Sequence, residues 1–166
     1  MLQNIKDTYQ RFPKDFWILM LASFIDNVGG AILFPFFTIY VTSNFNVGMQ
    51  EAGLLFTIFA VTHQFGSLIG GALTDRFGRK GMIIFGLVTS ALASIWMGLV
   101  NELNLFYLGA AFAGLLASAG DPAQQAMVAD LLPEEQRAEG YGIKRVVSNL
   151  AVTIGPLIGG LLASKS

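Results

Sequence analysis

The sequence predicts an all-α, polytopic membrane protein with about five transmembrane helices. Three observations predict it. Hydrophobic residues make up 54% of the 166 residues and charged residues only 13%, about half of the roughly 25% charge of a soluble domain. The apolar residues fall in five continuous runs of about 20, the length that crosses a bilayer as helix. A membrane β-barrel would instead show segments of about ten residues with alternating hydrophobicity. The basic residues sit almost wholly in alternate gaps between the runs, as an oriented set of membrane helices requires.

The same numbers exclude several classes. A mean hydropathy of +0.60 is incompatible with disorder, whose signature is low hydrophobicity. Ten Lys+Arg against eleven Asp+Glu, with no basic stripe, leave nothing for nucleic acid to bind. The absence of Cys removes disulfides and thiolate chemistry, and one His cannot build a His-rich metal site. With no metal-ligand cluster and no Ser-His-Asp spacing, neither an enzyme nor a bound metal or cofactor is expected.

Span one runs from Phe16 to Tyr40, behind an amino-terminal segment of residues 1–15 that carries Lys6, Arg11 and Lys14. It is too long to be the apolar core of a cleavable signal peptide. Span two runs from Ala52 to Leu73, and the gap after it holds Arg76, Arg79 and Lys80. Span three covers Gly81 to Val100 and span four Leu105 to Ala129. Arg137, Lys144 and Arg145 follow span four, leading into span five from Tyr141 to Ala163. If all five spans cross, nine of the ten basic residues share one side and only Lys165 lies opposite. The amino terminus is then cytoplasmic, and residues 16–166 form one helical bundle.

Small residues recur at four-residue spacing. Examples are Ala151, Gly155, Gly159 and Ala163 in span five, Gly109, Ala113 and Ala117 with Ala110, Gly114 and Ser118 in span four, and Gly66 and Gly70 in span two. In lipid, such stripes let helix backbones approach closely. Pro35, Pro122 and Pro156 fall inside spans, where each is expected to kink its helix. Trp17 and Tyr107 stand near span ends, where interfacial anchors belong.

The gap after span two reads Gly71-Ala72-Leu73-Thr74-Asp75-Arg76-Phe77-Gly78-Arg79-Lys80. Gly71 is expected to let two helices approach and Gly78 to permit a tight turn. Asp75, at a helix end, is placed to pair with an Arg, and the three basic residues to hold an anionic leaflet. This stretch resembles, at every fixed position, the G-x-L-x-D-R-x-G-R-K loop of the major facilitator superfamily of secondary transporters. In span five, Gly142, Ala151, Gly155, Pro156, Gly159 and Gly160 resemble that family's antiporter motif, with Ala151 in place of one glycine. The Arg that exporters of the family carry in span four is replaced by Ala110, four residues before Gly114. The stretch Asp130-Leu131-Leu132-Pro133-Glu134-Glu135-Gln136-Arg137 also resembles the family's loop between spans four and five. The resemblance covers the whole chain. It implies the first five spans of a six-helix half, the remaining helices of the transporter lying elsewhere, in a bacterial-type plasma (inner) membrane.

An ionisable residue inside a span is costly and therefore a functional candidate. Asp26 lies ten residues into span one, about 15 Å deep at 1.5 Å per residue, with Asn27 beside it. His63 lies eleven residues into span two, about 16 Å deep, followed by Gln64. Asp26 and His63 are thus expected to share a depth and to line a cavity, with Asp26 carrying a proton or pairing with a cationic substrate. Asp121, ahead of Pro122 towards the cytoplasmic end of span four, and Asn149 in span five are further cavity candidates. Phe24, Phe34, Phe36, Phe37, Phe56, Phe59 and Phe65 crowd spans one and two. They suit lipid contact, and in drug exporters such residues can line an apolar pocket.

The resemblance implies secondary transport of a small molecule, with proton-coupled export by alternating access as the leading expectation. The alternatives are a non-transporting fragment, sensor or assembly protein of the same fold, and a facilitator for a sugar or other metabolite. The expected partners are the bilayer, the small-molecule substrate and the transporter's remaining helices.

Overall fold

The structure is a computed structural model and describes residues 8–163, with the side chains of residues 33–35 and 163 left aside. Lys6 and Lys165 therefore lie outside the described residues, as do the side chains of Phe34, Pro35 and Ala163. Every regular element among the described residues is helical. The elements are α1 (Lys14–Asn44), α2 (Met49–Phe77), α3 (Arg79–Leu99), α4 (Leu103–Phe112), α5 (Asp121–Leu131) and α6 (Glu134–Ala163). Five candidate membrane spans result: Lys14–Ile32, Met49–Phe77, Arg79–Leu99, Leu103–Leu131 and Glu134–Leu162. Each contains most of an apolar run read from the sequence. The helices outlast the runs because polar first turns, such as Glu134-Glu135 in α6, are still helical. Carboxylates there complement the helix dipole.

The breaks between helices have local causes. α1 ends where Asn46 takes a left-handed conformation (φ 50°). The Val47 N–H then bonds back to the Thr42 carbonyl, the signature of a Schellman stop. α2 and α3 are separated by Gly78 alone, at φ 81° and ψ 155°. That region is open essentially to glycine only. Pro133 closes α5, and the Arg137 guanidinium donates to the Ala129 and Leu132 carbonyls, satisfying acceptors at the end of α5.

The chain divides into two compact units: one built from the segments up to Pro35 and from Met127 onward, the other from Phe36–Ala126. In the first, Phe12, Phe16, Leu19, Met20, Val128 and Leu132 are buried; Phe12 stacks on Phe16, and Phe16, Val128 and Leu132 surround Gly140. The Trp17 indole donates to the Tyr9 carbonyl and stacks on the Tyr9 ring, so this expected interfacial anchor is tied to the chain itself. Arg11 pairs with Glu139 at 2.9 Å. Gly155 abuts α1: a Cβ there would lie 2.8 Å from the Ala31 carbonyl carbon and 3.0 Å from the Ile32 nitrogen.

In the second unit, span four is the central helix. Its apolar window is 44% buried, against 17% for α2 and α3. One end of this unit is an aromatic cluster in which Phe106 meets Phe37, Tyr40 and Phe45 over Val41, Leu55 and Ala110. Tyr107, near the end of span four, donates its hydroxyl to the Glu51 carbonyl at 3.1 Å, in the first turn of α2. Further along, glycines of α2 and α3 seat against carbonyls of span four. A Cβ on Gly70 would lie 2.5 Å from Ala119 Cα, and one on Gly86 would lie 2.8 Å from the Ala117 carbonyl oxygen. Gly66 meets Leu115 and Ser118 in the same way. Gly71, expected to be a close-approach glycine, has nothing within 4 Å of its Cβ position. The seam runs through Gly66 and Gly70, four residues apart on one helical face, and Gly71 is rotated about 100° away.

This difference is measurable in the intact gene product purified in detergent. Gly70→Leu overpacks a backbone contact and is expected to cost about 1–3 kcal/mol of stability. Gly71→Ala is expected to be neutral or to stabilise by up to about 1 kcal/mol, as alanine does in a helix. Thermal unfolding of the two variants side by side checks both.

Candidate functional site

Span four is not a uniform helix. After α4 it widens into a π turn, Ala113–Ala117, then tightens into a 3₁₀ turn, Ser118–Gly120, before α5 begins at Asp121. Pro122 was expected to kink the span. It stands in the first turn of α5 with the π and 3₁₀ turns just before it, where a proline that offers no N–H to the carbonyl four residues back interrupts regular helix. By contrast, α6 runs through Pro156 as one helix. π turns occur frequently at functional sites, and this one leads directly to the ionisable residues.

His63 Nε2 lies 3.2 Å from Asp121 Oδ2. The two side chains are 41% and 47% exposed within the described structure, so the pair is open on one side. The same α2 residue is held a second time, by a hydrogen bond from the Ser118 hydroxyl to the His63 carbonyl at 3.0 Å. The Phe59 ring packs beside the imidazole at 5.9 Å between centroids. Gly114 fits against Thr62 and the Phe59 carbonyl one turn earlier, which brings the two spans close enough for these contacts. Beside the pair runs an open groove of about 650 Å³ lined by Val61, Gln64, Phe65, Ser67, Leu68, Gly71 and Pro122. Gln64 is exposed into it, and the open space at Gly71 helps to form it.

Asp26 is exposed and belongs to the other unit, and the Asn27 amide donates to the Ser23 carbonyl within its own helix. Asn149 is exposed on α6. The ionic partner of His63 within its own unit is thus Asp121. The sequence places Asp121 towards the cytoplasmic end of span four without pairing it with His63, and the π and 3₁₀ turns that precede it alter the face it presents. Ser118 had been noted only as a small packing residue. Its position three before Asp121 was the available signal, but only if a 3₁₀ turn were known.

The loop after α2 is built as its residues suggest. Asp75 pairs with Arg79 at 2.9 Å across one helical turn of sequence. Arg76 lies over the Phe77 ring at 5.6 Å, and Lys80 is exposed. Thr74 is buried and bonds to the Gly70 carbonyl, tying the loop to the glycine seam. In α6, Ala151, Gly155 and Gly159 are buried on one face, Pro156 is half-buried, and Gly142 and Gly160 have open space at their Cβ positions. Only part of that motif serves close packing.

The family model described as Major Facilitator Superfamily matches residues 19–166. A Na(+), Li(+), K(+)/H(+) antiporter of Planococcus maritimus is 33% identical over 150 residues, covering 87% of this chain and 35% of the relative. The quinolone resistance protein NorA of Staphylococcus aureus is 26% identical over 153 residues, covering 92% of this chain and 39% of the relative. The chain therefore spans little more than a third of the length of these relatives.

Two loop variants test the turn and the ion pair. Gly78→Ala is expected to cost about 1–3 kcal/mol, because φ 81° with ψ 155° is closed to a side chain. Asp75→Asn is expected to cost less than about 1 kcal/mol, since Asp75 is 78% exposed and its pair is screened. Thermal unfolding gives both values.

Proposed function

The chain belongs to the major facilitator superfamily, and from that membership we propose that it works in a proton-coupled secondary transporter that exports a small, partly hydrophobic molecule by alternating access. The observation that carries this reading is the His63–Asp121 pair, two ionisable side chains joined at 3.2 Å within apolar membrane spans. Ionisable groups at such depth mark ion and proton pathways. The contact joins two helices through one pair of side chains, so making and breaking it can accompany movement of one span against the other. The two relatives, an antiporter and a drug-resistance protein by name, support the same reading.

In this scheme the proton is the coupled ion and no cofactor takes part. Asp26 and Asn27 of α1, Gln64 of the groove and Asn149 of α6 are the further pathway candidates. The Asp75–Arg79 loop with Gly78 and Lys80 acts as the conformational switch at the cytoplasmic face. The amino terminus is cytoplasmic in a bacterial plasma membrane, and the substrate path is completed by helices beyond this chain. A second reading, exchange of monovalent cations for protons, is favoured by the 33% identical relative named for that activity. Asp121 is then the carboxylate that receives the cation.

The test uses inside-out membrane vesicles carrying the intact gene product, with a pH-sensitive dye reporting substrate-driven proton movement. His63→Gln and Asp121→Asn are each expected to lower proton-coupled transport at least about tenfold, a loss of about 1.4 kcal/mol in the coupled step. Asp26→Asn is expected to do the same if α1 belongs to the proton path. Running the assay with Na⁺ and with a lipophilic cation dye separates the two substrate readings. Wild-type coupling in both pair variants would remove the pair from the mechanism.

A further inference from the structure

Two ties join His63 to span four, and they reach span four three residues apart, at Ser118 and Asp121. In an α-helix, residues i and i+3 are offset by about 60° around the axis, because each residue turns about 100°. In a 3₁₀ helix each residue turns about 120°, so i and i+3 eclipse. Ser118–Gly120 is the 3₁₀ turn. Ser118 and Asp121 therefore face one residue of α2 because the span is 3₁₀ there. The turn is braced at both ends by His63, through its carbonyl and through its ring.

Ser118 holds this arrangement. It is buried, at 4% exposure, and its hydroxyl has two carbonyl acceptors, Gly114 in its own span and His63 in α2. A hydroxyl carries one proton, so the group links the end of the π turn to α2 at the level of the ion pair. We propose that Ser118 is a positioning residue for the His63–Asp121 pair: its hydroxyl fixes the 3₁₀ turn that aims Asp121 at the imidazole. Without it, the turn relaxes towards α geometry and Asp121 rotates away from His63. Ser118 touches neither ring nor carboxylate and acts only through the backbone. The inference rests on the functional reading above for its consequence in transport, but not for its geometry.

The test separates the two. In the intact gene product labelled with ¹⁵N-histidine, the ring-nitrogen resonances of His63 are assigned by their loss in His63→Gln. Asp121→Asn sets the reference for a broken pair. Ser118→Ala is expected to move the His63 resonances towards the Asp121→Asn position, and Ser118→Cys, of similar size and with a weak donor, to move them back towards wild type. In flux assays Ser118→Ala is expected to lower coupled transport, with no further loss in Ser118→Ala/Asp121→Asn beyond Asp121→Asn alone. Unchanged His63 resonances in Ser118→Ala overturn the proposal, as does a double variant whose flux loss is the product of the single losses. Moved resonances with wild-type flux in all variants uphold the positioning role and reject the pair's part in transport. If Ser118→Ala fails to insert, Ser118→Cys is compared with wild type: an intermediate shift supports the proposal and no shift overturns it.

Discussion

The second unit depends on one constraint: span four must lie against α2 and α3 at backbone distance. Gly66, Gly70 and Gly86 remove the side chains that would keep it away, and carbonyls of Leu115, Ala117 and Ala119 occupy the space. Lipid offers no hydrophobic drive for helix association, so close van der Waals contact and weak Cα–H···O interactions have to supply it. That is why the most buried span is also the one richest in Gly, Ala and Ser. Substituting a larger residue on either side of the seam would separate the helices and every contact that depends on their proximity.

The ion pair is one of those contacts. Ionisable groups within the bilayer are costly unless they find partners, and His63 meets Asp121 only where the seam has already drawn the spans together. The π and 3₁₀ turns then set the direction in which Asp121 points. Neither turn is stable as a long helix. A short irregular stretch held by tertiary contacts is a suitable place for two arrangements of similar free energy. The Asp75–Arg79 loop hangs from the same seam through Thr74 and Gly70, so the proposed switch and the proposed proton site share one rigid seat in α2.

Much of this was legible in the sequence. Continuous apolar runs determine where helices form, and the loop pattern ending in Gly78-Arg79-Lys80 identified the family. Gly78 was readable as a turn because a single glycine separates two runs that cannot be one helix. The small-residue stripes were readable as seams, Gly66 and Gly70 among them, but Gly71 was added to the close-approach glycines although it lies off that helical face. The pairing of His63 with Asp121 was not legible, since neither the packing of span four on α2 nor the π and 3₁₀ turns that lead to Asp121 can be read from residue spacing. Tertiary contacts hold those turns, with Ser118 bonded to His63 and glycines seated on carbonyls, and Pro122, which has no N–H for the Ser118 carbonyl, follows them directly.

The central claim is that the electrostatic attraction between residues 63 and 121 is itself used in transport. Exchanging the two side chains tests it most directly. The variant His63→Asp/Asp121→His retains the attraction with its direction reversed, whereas each single exchange leaves either two carboxylates or two imidazoles facing one another. Initial rates of proton-coupled efflux in vesicles of the intact gene product are the measurement. The account predicts that the double exchange recovers a substantial part of the wild-type rate while both single exchanges stay near background. A double exchange no more active than the single ones, with all three proteins folded and inserted, would contradict it.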